Sequence, residues 1–425
     1  MTKRILALFA LLATLMLSLS VTAAAQETVT VRWWHINTNE NEAAFWQQVA
    51  DDYMVANPNV TIEITILENE AFKSRLVTVM QAGDPPDLFQ SWGGGVLWQF
   101  ADANLVRDIS PELEGEWKDS FSAQAALELY GNDGEYYGVP WNWGAVGFFY
   151  NKALFTQAGL DPETPPATWE ELLLAIDALK AADITPIALG EQDKWPGHFW
   201  WVYLALRLGG GDAFLDAYNR DGSFADAPFV EAGEYLAQLV AAEPFQEGFM
   251  ANGYGQQAGI MGDGLAAMEL MGQWAPGAQA GNSQNGGIGD DLGWFPFPVI
   301  EGGAGNADDV LGGGDGFSVG VNAPDEAVAF LQYITSLEVQ TAAAGLWIVP
   351  TVDGAEVALE GNEIMQTIIA ARNNAPYSQL YYDQFLPPAV GGAVNDNVQA
   401  LFAGAATPEE VAAAIEDVAS FELSQ

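Results

Sequence analysis

The chain has no cysteine, only two histidines, and 13 lysines and arginines against 57 aspartates and glutamates. Without cysteine there is no disulfide, no thiol chemistry, no thiolate metal ligand and no cysteine to carry a lipid. With only His35 and His198, a metal site would have to rest on carboxylates. The nearest calcium-like run, Asn219-Arg220-Asp221-Gly222, lacks the acidic first and last positions of an EF-hand, where Ala217 and Pro228 stand. A formal net charge of -44 argues against nucleic acid and anionic membrane surfaces as partners, since both need clustered Lys and Arg. No G-x-S-x-G elbow, P-loop or G-x-G-x-x-G turn occurs, and no carboxylate pair stands out for glycoside hydrolysis. No cofactor or metal is therefore expected. Beyond the first residues, no apolar run is long enough to span a bilayer. Neither an internal repeat nor a low-complexity linker is found.

What is present begins with a leader. Lys3 and Arg4, the apolar run Ile5 to Leu19 and the small residues Ala23-Ala24-Ala25 have the form of a cleaved secretory signal over residues 1–25. The mature chain is expected to start near Gln26 and to work in the periplasm or outside the cell without a lipid anchor. At 425 residues, half of them hydrophobic, it is long enough for two domains. Thr28 to Trp34 alternates as a strand, Ala43 to Ala56 carries Trp46, Val49 and Tyr53 on one helical face, and Val60 to Leu67 is again a strand. That βαβ unit predicts a parallel sheet, with ligands beyond the carboxyl ends of its strands. The loops there hold His35, Asn37 and Trp92. Thr168-Trp169-Glu170-Glu171 is a capping box, and Ala266 to Met271 is a strand followed by Gly272-Gln273-Trp274. A glycine-rich turn with Asp315 precedes a strand ending near Val321.

Fifteen tryptophans are the strongest compositional signal. Several sit in turns beside amides or carboxylates: Trp92, Trp141 and Trp143 around Asn142, Trp195 near His198, and Trp274. Flat aromatic faces suit the apolar face of a sugar, and planar amides and carboxylates take its hydroxyls. For any one tryptophan, core packing is the commoner fate, and Trp46 and Trp169 are assigned to packing. Between Gly138 and Lys152 the chain passes from strand to strand through Trp141-Asn142-Trp143, with Pro140 tolerated only at a strand end or sheet edge.

Taken together, TVTVRWWHIN, Gln81-Ala82-Gly83-Asp84-Pro85-Pro86-Asp87, Tyr137-Gly138-Val139-Pro140 leading to Phe149-Tyr150-Asn151-Lys152, and Gly264-Leu265-Ala266-Ala267-Met268 with Gln273-Trp274 resemble the extracellular solute-binding proteins of ABC importers, the family that includes maltose-binding protein. The resemblance implies a two-lobed α/β fold, each lobe a mostly parallel sheet flanked by helices. The N-terminal lobe would be 26–140 with a return segment 303–349, and the C-terminal lobe 141–302 completed by 350–425. It implies a non-catalytic, monomeric protein that binds a sugar or short oligosaccharide between the lobes and hands it to a permease. His35, Asn37 and Trp92 would serve from the first lobe, Trp195, His198, Trp274 and Tyr382 from the second, Trp141, Asn142 and Trp143 from the hinge, and Asp315 from the returning segment. Phe295 and Trp347 are left as structural. The sequence departs from the pattern at the first crossing, where Trp141-Asn142-Trp143 replaces a glutamate found in some members, which tells against maltose itself. Gln379 to Gln384 resembles members that take xylo-oligosaccharides or N-acetylglucosamine-type sugars. A non-sugar solute such as a polyamine and, behind it, a secreted carbohydrate-active enzyme are the competing readings.

Overall fold

A computed structural model describes residues 28–424, so the leader expected over residues 1–25 lies outside the described residues. Strand β1 (Val29–His35) alternates as its sequence predicts, burying Val31 and Trp33. Helix α1 (Glu40–Ala56) starts at Asn39, whose side chain accepts from the Asn41 N–H, and buries Trp46, Val49, Ala50 and Tyr53. It ends at Asn57, ahead of Pro58. Strand β2 (Val60–Ile66) pairs with β1 in parallel from Val29 opposite Val60. Helix α2 (Asn69–Gln81) buries Phe72, Leu76 and Met80, one residue per turn. The Gly83–Asp87 motif then proves structural. Asp87 Oδ2 accepts the backbone N–H of Arg32 at 2.7 Å, and the Arg32 side chain reaches Asp84 and the Pro85 carbonyl. Strand β3 (Leu88–Ser91), also parallel to β1, leads into helix α3 (Gly94–Asp102).

Strand β4 (Gly138–Trp143) closes one edge of this first sheet, and β5 (Gly147–Asn151) opens a second. The second sheet adds β6 (Thr185–Ile187), β7 (Ala266–Met271) and β8 (Leu292–Phe295), in the order β8-β5-β7-β6. Packed around it are helix α4 (Trp169–Ala181), with the expected Thr168/Glu171 capping box, helix α5 (Trp195–Asn219) and helix α6 (Ala227–Ala241). Helix α7 (Ala275–Asn282) follows β7 directly. Strand β9 (Gly314–Val319) then returns to the first sheet, which runs β2-β1-β3-β9-β4. Each sheet has one reversed strand, β9 in the first and β5 in the second, and the others run parallel. The reversed strand is in both cases the one by which the chain enters from the other sheet. Helices α8 (Glu363–Asn374), α9 (Tyr382–Phe385), α10 (Pro388–Phe402) and α11 (Pro408–Glu422) complete the second body. Their buried residues join a core that also holds Phe148, Trp200 and Trp201, while the first sheet carries separate cores around Trp33 and around Phe72.

Pro140 sits on the edge strand, where its missing N–H costs no ladder bond. Opposite it the register slips: Asn142 faces Asp315 but Pro140 faces Gly316, which leaves Trp141 as the bulged residue. Trp141 to Trp143 are therefore strand, not the connection between strands that the sequence suggests. The chain leaves the first sheet at Gly144–Val146 rather than at Pro140. It rejoins at Gly314 rather than at 303, because Val310–Leu311 still pairs with Ser378–Gln379. After Pro350, Val352 is still in the first body's core, and Met365 is in the second's.

Arg207 is the least expected core residue. The residue is 2% exposed, and its guanidinium donates to four carbonyls, Phe297 (3.0 Å), Pro298 (3.3 Å), Asn306 (3.2 Å) and Asp309 (2.8 Å). It thereby ties α5 to the segment between β8 and the return.

Candidate functional site

The carboxyl ends of β1, β2 and β3 face a cavity of about 270 Å³ between the two bodies. Asn37 reaches it from the β1–α1 turn, Glu42 from the first turn of α1, Asn69 and Lys73 from α2, and Gln90 and Trp92 from the end of β3. Trp141, Asn142 and Asp315 form its floor at the crossing strands. The opposite wall is aromatic: Trp195 and Phe199 one turn apart on α5, with Tyr254, Trp274 and Tyr381. These rings brace one another. Trp195 lies 4.9 Å from Tyr254 and 6.5 Å from Trp274, and Phe199 stacks on Tyr381 at 5.0 Å.

Asn142 joins all three crossings. Its Nδ2 donates to Asp315 Oδ2 at 3.0 Å, and its Oδ1 accepts from the Val349 N–H at 2.9 Å. Gln90 Nε2 donates to Asp315 Oδ1 at 3.3 Å. Burial pushes the Asp315 carboxyl up to about 7 against the opposing hydrogen bond from Asn142. Burial, with the Asp315 charge adding to it, brings Glu42 to about 7 as well. Lys73 is held by Glu70 at 3.0 Å and Asp383 at 3.6 Å. Burial by itself would lower its pKa, but the two carboxylates raise it overall. Several polar atoms on the cavity wall are buried without a protein partner: Trp141 Nε1, Trp195 Nε1, Gln90 Oε1, Asn37 Nδ2 and the Tyr254 hydroxyl. Buried polar groups are normally satisfied, so a cavity ringed by such atoms is built to exchange hydrogen bonds with what enters it.

The two bodies also touch at the rim. Asn39 Nδ2 donates to the Gly277 carbonyl at 2.6 Å. A Cβ on Gly281 would come within 2.4 Å of that same Asn39 nitrogen, so the approach depends on glycine there.

Of the predicted residues, Asn37, Trp92, Trp141, Asn142, Trp195, Trp274 and Asp315 line the cavity. Four do not. His35 shares its strand face with Trp33, rings 4.8 Å apart, so the period of two turns it into the core. Trp143 is buried in the crossing, its N–H donating to the Val349 carbonyl and its own carbonyl accepting from Arg372 Nη1 at 2.9 Å. His198 falls between Trp195 and Phe199 on α5 and turns inward, fully buried, with Nε2 3.9 Å from Asp383 Oδ1. Tyr382 packs on Phe214 at 4.5 Å, and its neighbour Tyr381 faces the cavity instead. The charged lining residues Glu42, Glu68, Lys73 and Asp383 were not anticipated. Helical spacing holds the only signal for them: Asn39 and Glu42 three apart on α1, Asn69 and Lys73 four apart on α2.

Burial lowers the His35 pKa to about 3 from 6.5. The stability it contributes is complete above its unfolded value and is lost as pH falls through the folded one. Melting curves for His35→Phe should therefore show a shallower loss of stability between pH 6 and 4 than the parent chain, and an identical acid limb would count against this assignment.

Two α/β bodies joined by three crossings around an aromatic, polar-floored cavity define a bilobal ligand-binding protein. The model of the family described as bacterial extracellular solute-binding protein matches residues 37–341, and the chain belongs to that family. It is 27% identical over 325 residues to an uncharacterized ABC transporter extracellular-binding protein of Pyrococcus horikoshii, covering 75% of this chain and 70% of that one. It is 26% identical over 270 residues to a maltotriose-binding protein of Pyrococcus abyssi, covering 63% of this chain and 53% of that one. A solved chitin oligosaccharide binding protein superposes with a TM-score of 0.85 at 26% identity, over 94% of this chain and 100% of the other. Among the described residues no helix is long and apolar enough to cross a membrane.

Proposed function

We propose that this chain is the extracytoplasmic sugar-binding component of an ABC importer, holding a sugar or short oligosaccharide between its lobes and releasing it to a membrane permease. The observation that carries this reading is the pairing of an aromatic wall with buried, partnerless indole, amide and hydroxyl groups on one cavity. Trp92 and Trp274 offer stacking faces, while Asp315, held by Asn142 and Gln90, accepts ligand hydroxyls. Neutral maltotriose and chitin oligosaccharides, the ligands named for two relatives, have that mix of apolar faces and hydroxyls. The lobes are taken as residues 28–143 with 314–359, and 147–311 with 360–424, hinged at the crossings. Ligand that touches both lobes favours the closed form. The protein acts as a monomer outside the cytoplasm and breaks no bond in its ligand.

Thermal-shift and tryptophan-fluorescence measurements on the mature chain against mono- and oligosaccharides and polyamines test this. A ligand at 100 times its Kd adds about 2.7 kcal/mol, enough to raise Tm measurably. A shift with one saccharide series supports the reading. A shift with polyamines alone favours the second reading, for which the carboxylates Glu42, Asp315 and Asp383 speak. Release of reducing ends from oligosaccharides by the pure protein would overturn both.

A further inference from the structure

Behind the sugar cavity lies a second, larger one of about 540 Å³. Its walls are apolar: Phe72, Leu76 and Met80 from α2, and Val96, Leu97 and Phe100 from α3. Helix α10 closes it with Gly392 and Asn395. The two cavities share Lys73, Gln90, Trp92, Asp383 and Gln384, so their contents are separated by one layer of side chains. Trp92 is the partition: it meets the Phe72 ring at 6.2 Å, with the Lys73 ammonium 5.6 Å from its centroid. The charged groups lining the second chamber, Glu70, Lys73 and Asp383, are paired with one another at 3.0 and 3.6 Å. The lining therefore offers no free charge for an ion, and its buried polar atoms without a partner among the described residues are Gln90 Oε1 and Asn395 Oδ1, too few for a run of sugar hydroxyls. It suits a flat, uncharged group packed against aromatic and aliphatic side chains.

We propose that this chamber is a subsite for an aromatic substituent carried by the saccharide, reached past Trp92 from the sugar cavity. The proposal rests on the sugar-binding reading of the first cavity. It makes Leu76, Val96 and Gly392 determinants of specificity, although none lines the sugar cavity.

Calorimetric titration with para-nitrophenyl and methyl β-glycosides of glucose, xylose and N-acetylglucosamine tests it. The aryl glycoside should bind roughly tenfold tighter than the methyl glycoside of the same sugar. Leu76→Trp fills the chamber from within. Gly392→Leu fills it from the rim, where a Cβ meets nothing within 4 Å and the fold is not at risk. Both should bring the ratio towards one while leaving methyl-glycoside affinity unchanged. A ratio of one in the parent chain, or a ratio that neither variant moves, overturns the proposal. If none of these glycosides binds, N-phenylnaphthylamine decides about the chamber on its own, and the saccharide screen decides about the sugar reading. Fluorescence enhancement that Gly392→Leu abolishes supports an apolar subsite, and no enhancement overturns it.

Discussion

Replacing Arg207 with methionine should lower the free energy of unfolding by about 3–5 kcal/mol. The guanidinium makes no ion pair within hydrogen-bonding range. It is held by the carbonyls of Phe297, Pro298, Asn306 and Asp309, with the rings of Tyr203 and Phe297 at 5.2 and 5.9 Å. Burial lowers its pKa, yet it stays charged because the folded chain supplies those acceptors. Methionine fills much of the volume and leaves the carbonyls without donors, and each such orphan costs about 1–3 kcal/mol. Arg207→Lys should fall between the two, since an ammonium cannot reach four acceptors in the spread of a planar fork. Urea titration of the three proteins gives the answer. A loss below about 1 kcal/mol for methionine would mean that water reaches these carbonyls and that the arginine is replaceable.

Trp274→Ala should weaken binding of the ligand found by the thermal-shift screen about tenfold or more, with little change in the melting of the free protein. Trp274 is half-buried, propped by Trp195 and Tyr381 and open to the cavity. Its truncation therefore removes a stacking surface without emptying a core. Trp141→Ala would be a poorer test, because Trp141 also packs edge-on against Trp46 at 4.9 Å and lies over Phe317. Trp274→Phe should recover part of the affinity. Unchanged affinity in a folded Trp274→Ala protein would remove this residue from the site.

The fold was legible from the sequence where local chemistry decides it. The Thr168 capping box starts its helix, and the strand Ala266–Met271 keeps its predicted bounds, while the helix expected from Ala43 begins earlier, at Glu40 behind its cap Asn39. The loops after β1 and β3 were found by the rule for parallel sheets, and they yielded Asn37 and Trp92. The misses have equally local causes. His35 is the last residue of β1, in phase with Val31 and Trp33, and so points inward. His198 lies three residues after Trp195 on a neighbouring part of the same helix face, yet it is fully buried beside Asp383 rather than open to the cavity. Tyr381 and Tyr382 are a pair of which one faces the cavity, and nothing in their own chemistry says which. Glu42 and Asp383 were hidden among 57 carboxylates, since only tertiary contact distinguishes them. The crossing residues were expected to connect two strands, with Pro140 at a strand end or a sheet edge. The edge position and the bulge opposite Gly316 let the strand run on through it.

The place of β9 in the first sheet has a consequence for how the molecule comes to exist. It lies between β3 and β4, strands that precede it by some two hundred residues of chain, and the whole first part of the second body is made in between. A nascent chain emerging from the ribosome thus carries two unzipped ladders, on Leu88–Ser91 and on Gly138–Trp143, until Gly314–Val319 has been synthesised. Pairings so distant in sequence are slow to form. The half-made sheet is exposed to aggregation for that interval.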